Sequence, residues 1–208
     1  MGFLDKFRKK AVRTETHEEA AERQRQFAAS CDGMSPEYMG GLLMTTLSSD
    51  SYEETRALTL IEKGAKLDGR DGSGLSLLML AVWYNRPKIV GALLDRNVDT
   101  DLQDRWGSTA LSRAVSAVVQ HGASLDATRM LIEKGADLDK KDDGGNTPLM
   151  LAIQSGKQDL ITLLREAPEI QRQSAATQSS PPKSSDPSGD VALQRNVSVG
   201  RPLDLLKK

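Results

Sequence analysis

The segment Asp142-Asp-Gly-Gly-Asn-Thr-Pro-Leu-Met-Leu-Ala152 constrains this chain more than any other, because a turn, a helix cap and an apolar helix face follow one another in eleven residues. Gly144 and Gly145 suit the positive φ of a tight turn. Thr147 is placed to cap the first amides of a helix, and Pro148 takes the first helical position, where its missing N–H costs nothing. Leu149, Leu151, Ala152 and Ile153 supply a buried stripe, with Leu149 and Ala152 set between neighbouring helices. Related segments begin at Asp71 and Asp104, 33 residues apart, and Asp104 precedes Asp142 by 38. Such a period describes a small unit that cannot bury its own apolar face and must stack on copies of itself.

The units differ in sequence but keep the same physics. The second runs Asp71-Gly-Ser-Gly-Leu-Ser-Leu-Leu-Met-Leu-Ala81, then Ile89, Val90, Leu93 and Leu94, then Asn97-Val-Asp-Thr-Asp101. Ser76 keeps the capping hydroxyl, and Asn97 stands at a helix end where the left-handed conformation favours Gly or Asn. The third runs from Asp104-Arg-Trp-Gly-Ser-Thr-Ala-Leu111 to Gly135-Ala-Asp-Leu-Asp139, and its five extra residues predict a longer loop around His121 to Asp126. The first opens at Ser35-Pro-Glu37 with Leu42, Leu43 and Leu47 as its apolar face. Its second helix spans about Tyr52 to Lys63 and closes in Gly64-Ala-Lys-Leu-Asp68, but the turn half is missing, as suits a terminal unit. In the fourth, Arg165 replaces the apolar residue found at Leu94, which predicts a solvent-facing last helix that Pro168 stops.

Thr147-Pro-Leu-Met-Leu-Ala152 resembles the TPLHxA signature of ankyrin repeats, with Met150 where that family has His, and Gly64-Ala-Lys-Leu-Asp68 resembles the segment that closes such a repeat. The resemblance implies an all-α fold, an ankyrin-repeat α-solenoid of about four helix-turn-helix repeats with β-turn tips. The repeats fall at about 35–70, 71–103, 104–141 and 142–168. It also implies a binding module, a monomer that holds a protein partner in a concave groove as an intracellular adaptor or inhibitor.

The flanks read differently. Residues 1–13 form a basic arm with Phe3, Leu4 and Phe7 at helical spacing, and Thr16-His-Glu-Glu19 has the form of a capping box opening a polar helix toward Ser30. Residues 169–208 are rich in Gln, Ser and Pro, which predicts a disordered tail, and end in an apolar motif at Leu203, Leu205 and Leu206. The net charge is about +4 over 1–13, about −3 over 14–34, about −4 over 35–168 and about +2 over 169–208. The alternative function is therefore peripheral membrane association, with weak contact of the basic termini to anionic lipid. A total of −1 gives no reason to expect nucleic acid as a partner. A single cysteine excludes an internal disulfide and a structural zinc site, and no apolar stretch is long enough for a membrane span. These features predict a cytoplasmic protein, peripheral at the membrane in the alternative reading.

No constellation of titratable groups points to an enzyme, a metal site or a cofactor. The two histidines, His17 and His121, and Cys31 share no motif, so surface roles are expected for the histidines. The glycine turns lack the Lys-Ser/Thr of a phosphate loop. The recurring aspartates lack the spacing of a calcium loop and suit turns. The expected partner-binding residues are Leu75, Trp83, Tyr84, Arg105 and Trp106. The repeat frame puts Arg105 and Trp106 on a turn tip and Trp83 and Tyr84 at the end of a first helix, which in ankyrin repeats face the groove. Trp, Tyr and Arg are the residues enriched in binding hot spots.

Overall fold

A hydroxyl starts the first helix of every unit. In the computed structural model, which describes residues 17–49 and 53–178, Ser35, Ser76, Thr109 and Thr147 each accept a hydrogen bond from the backbone N–H three residues on. The helices so capped are α2 (Pro36–Ser48), α4 (Leu77–Trp83), α6 (Ala110–His121) and α8 (Pro148–Ser155). Each is followed by a second helix: α3 (Glu54–Glu62), α5 (Pro87–Asp95), α7 (Asp126–Glu133) and α9 (Gln158–Gln178). The first helices pack side by side in chain order as one layer and the second helices as another, with one continuous apolar core between them. A further helix, α1 (His17–Cys31), packs on α3. It buries Cys31 and sets Phe27 under the Arg56 guanidinium at 4.3 Å.

The turn aspartates bind backbone. Asp71 Oδ1 accepts the N–H groups of Ser73 and Leu75 at 2.8 Å, and Asp104 Oδ1 accepts those of Trp106 and Ser108 at 2.8 and 3.0 Å. Each turn then reaches the one before it, since the Arg105 N–H donates to the Ser73 carbonyl at 3.4 Å and the Asp143 N–H to the Trp106 carbonyl at 3.0 Å. The residue preceding each aspartate adds a second link: Arg70 Nη1 donates to the Gln103 carbonyl at 2.6 Å, and Gln103 Nε2 to the Lys141 carbonyl at 3.0 Å. Two chemically different side chains thus do the same job at the same register.

Three expectations are corrected. Of the glycine pair in repeat four only Gly145 takes a positive φ, 78°. The five-residue insertion of repeat three goes mainly into helix, because α6 has 12 residues against 7 in α4 and 8 in α8. Gly122, at φ 64°, ends that extra turn, so His121 is helical. Pro168 does not stop α9, which continues to Gln178. Proline forfeits one helical hydrogen bond, but Ala167 is buried, Ile170 packs on the core and Gln171 Nε2 donates to the Ala136 carbonyl at 2.8 Å. These contacts hold the turns on either side of the proline. Arg165 is exposed as expected, and Ala152 is buried while Leu149 is half-buried. The basic arm 1–13, Thr16 of the capping box, Tyr52 and the motif at Leu203 to Leu206 lie outside the described residues. No helix among the described residues is long and apolar enough to cross a membrane.

Candidate functional site: an aromatic surface on repeats two and three

The turn of repeat three is built on a carboxylate whose side chain is fully buried. Besides the two backbone donors on Oδ1, Asp104 Oδ2 accepts Arg113 Nε at 2.7 Å and also Arg113 Nη2. Burying an ion pair is costly unless further hydrogen bonds satisfy it, and here four donors serve one carboxylate. The pairing fixes the guanidinium of Arg113, whose side chain keeps 18% of its exposure, above the plane of the turn's own aromatic residue. Its Cζ lies 4.9 Å from the Trp106 ring centroid and 5.9 Å from that of Trp83. Trp83 in turn meets His121 edge-to-face, with ring centroids 4.7 Å apart and planes at 90°. Both tryptophans of the chain are thereby joined through one arginine, by cation–π contacts of the kind worth about 0.5 to 2 kcal/mol.

The five expected residues fall in two groups. Trp106 and Tyr84 are large and open, at 49% and 40% exposure, and Trp83 is half-buried between Arg113 and His121. Arg105 is exposed, but its guanidinium turns back to the Gly72 carbonyl of the preceding tip. Leu75 is half-buried against the core, and its N–H belongs to the Asp71 turn. The first helix does not cover this surface, since α1 packs on α3. The matching positions in repeat four, Asp143, Gly144, Gln154 and Ser155, are polar or small, so the aromatic patch does not extend into repeat four.

Arg113 and His121 touch the tryptophans of this candidate surface and were not among the residues expected from the sequence. Arg113 occupies the register of Leu80 in α4 and Leu151 in α8, and a charge in an otherwise apolar column was the available signal. His121 had no such signal, because its contact with Trp83 depends on the insertion lengthening α6. Among the described residues no group of three or more His, Cys, Asp or Glu is placed to hold a metal ion. A crevice of about 580 Å³ between α1 and α3, lined by Arg23, Phe27, Glu53 and Arg56, has no counterpart of the buried ion pair at the aromatic patch.

Stacked helix pairs with hydrogen-bonded turn tips and an open aromatic surface define a helical repeat protein of the binding type. Residues 78–174 match the family model described as ankyrin repeats, three copies, and this part of the chain is an array of ankyrin repeats. Such repeats are in general protein–protein interaction modules, and the family is a non-catalytic one. The chain is 32% identical over 136 residues to neurogenic locus notch homolog protein 1 of Homo sapiens, a match covering 64% of this chain and 5% of that protein. It is 32% identical over 110 residues to the B-cell lymphoma 3 protein homolog of Mus musculus, covering 50% of this chain and 23% of that one. Potassium channel AKT1 of Oryza sativa subsp. indica is 35% identical over 86 residues, 41% of this chain and 9% of the channel. The chain thus spans about one twentieth of the length of the Notch relatives it matches.

Proposed function

We infer that this protein is an adaptor or inhibitor that holds one protein partner in the concave groove of its repeats, with Trp106, Tyr84 and Trp83 as the anchoring side chains. The observation that carries this reading is the exposure of Trp106 beside an arginine already immobilised by a buried carboxylate, with Tyr84 exposed next in the chain to Trp83, the arginine's other ring contact. Exposed aromatic surface of this kind is uncommon on a protein that binds nothing. Because Arg113 and the turn are pre-ordered, little side-chain entropy remains to be lost when a partner covers the ring. Leu75 and Arg105 border the patch and contribute shape rather than anchoring area.

The test is partner capture from the native cell with the wild-type chain and with Trp106→Ala. The reading expects capture of a given partner to fall by at least tenfold, since truncating a hot-spot aromatic costs about 2 kcal/mol or more of binding energy, while the thermal midpoint moves by only a few degrees. Equal capture by the two proteins would remove Trp106 from the site. Flotation with anionic liposomes is the arm that would favour lipid docking instead.

A further inference from the structure

The C-terminal end of the stack is open on one layer only. In α4 and α6, unlike α2, whose Tyr38 and Gly41 are exposed, the third and sixth positions after the cap are buried towards the next repeat: Met79 and Val82 in α4 are 0% and 1% exposed, and Ser112 and Val115 in α6 are 1% and 0%. In α8 the same positions are Met150 and Ile153, at 47% and 49%. The last repeat of a solenoid ordinarily presents a polar outer face, and α8 does not. The second-helix layer does: Arg165 in α9 is exposed at the register where Leu94 and Ile132 are buried in α5 and α7. A whole additional repeat needs an apolar face on both layers. The asymmetry fits a single short helix on α8.

We propose that residues Arg201 to Lys208 of this chain dock on that face as a truncated first helix and close the stack. Set against Thr147-Pro-Leu-Met-Leu-Ala-Ile-Gln154, the segment Arg201-Pro-Leu-Asp-Leu-Leu-Lys-Lys208 repeats Pro at the second place and Leu at the third and fifth. The two places that point out of the stack, Met150 and Ile153 in α8, are Asp204 and Lys207 in the segment. Its apolar residues thus fall on the inward positions and its charges on the outward ones, the pattern that an end cap requires. Two departures mark it as a cap rather than a full repeat: Arg201 replaces the capping hydroxyl, and Leu206 replaces the small residue found at Ala81, Ala114 and Ala152. Charge favours the same contact, because repeat four carries Asp142, Asp143, Asp159 and Glu166 against Lys157 and Arg165, and the segment carries Arg201, Lys207 and Lys208.

Reach permits it. Residues 179–200 separate the segment from the end of α9. A flexible chain of that length spans about 26 Å. Helix α9 follows α8 after two residues and packs along it, so even its full length, about 31 Å at 1.5 Å per residue, keeps the exit point near that range. A tether of this kind gives an effective concentration on the order of millimolar, enough to populate a contact that an eight-residue peptide makes weakly in solution.

Amide exchange of the full chain, compared with its Leu203→Asp, Leu206→Asp variant, tests the proposal, with the amides of α4 as internal reference for folding. The α8 amides are expected to exchange at least tenfold faster in the variant and those of α4 at an unchanged rate. A photo-crosslinking residue in place of Met150 is expected to link to residues 201–208 within one molecule at low protein concentration. Unchanged α8 exchange overturns the proposal, as does a crosslink joining two copies, which would make this face a dimer contact. Both readouts are independent of partner capture, so they stand or fall separately from the groove.

Discussion

Asp104 and Arg113 give the turn of repeat three an ion pair within a buried carboxylate site, where the turn aspartates Asp71 and Asp142 accept from backbone amides and, at Asp142, from the Asn146 side chain. Removing the arginine leaves a fully buried carboxylate with only the Trp106 and Ser108 amides as donors. Breaking a buried pair from one side costs about 3 to 5 kcal/mol. Arg113 keeps some solvent contact, so Arg113→Ala is expected to cost about 2 kcal/mol. Asp104→Ala should cost more, since the turn loses both side-chain bonds to its amides. The urea midpoints of the two variants and of the double variant check this, and the double variant should fall short of the sum because the residues form one unit. Gly107 and Gly145 give a second residue-scale comparison. Both have positive φ, 70° and 78°. A Cβ on Gly145 meets nothing, whereas on Gly107 it would lie 2.6 Å from Asp143 Oδ1 and 2.9 Å from its backbone nitrogen. Gly145→Ala is expected to cost about 1 to 2 kcal/mol, the left-handed penalty alone. Gly107→Ala should cost clearly more, because the next turn has to move.

At the scale of the element, position in the stack decides what a residue contributes. Leu111 and Leu149 occupy the same register, but Leu111 is buried between two neighbouring repeats and Leu149 is half-buried at the open end. Leu111→Ala is expected to cost about 3 to 4 kcal/mol, and Leu149→Ala less than half as much, by thermal or urea unfolding. Helix α9 supplies a further check. A chain ending at Pro168 should be less stable than one ending at Gln178 by about 2 kcal/mol, since it loses the packing of Ile170 and the bond from Gln171 to the Ala136 carbonyl. Several helical boundaries were legible from a hydroxyl cap or a left-handed residue: Ser76, Thr109 and Thr147 at the starts, and Asn97 with φ 53° after α5. They were not legible at Pro168, because a proline's local cost says nothing about tertiary contacts made by the residues beyond it. The insertion that lengthens α6 was not legible for a similar reason, since extra residues are equally compatible with loop or with one more helical turn.

For the whole molecule, the recurrence of a turn aspartate, a hydroxyl cap and an apolar face at Asp71, Asp104 and Asp142 was enough to set the architecture, and the first unit joins the stack with its cap and apolar face alone. The aromatic surface was legible in part. Trp83, Tyr84 and Trp106 stand out as bulky residues at positions the repeat leaves open. Arg113 depends instead on a carboxylate nine residues earlier in the chain, and only the folded turn brings the two together. The central claim is that this surface holds a protein partner. It is tested most directly by partner capture with three forms of the full chain: wild type, Trp106→Ala with Tyr84→Ala, and Arg129→Ala on the exposed side of α7 as a control. A partner bound by the wild type and by the α7 control, and lost at least tenfold by the aromatic variant with its thermal midpoint within a few degrees, is the predicted result. A partner retained equally by all three would contradict the account.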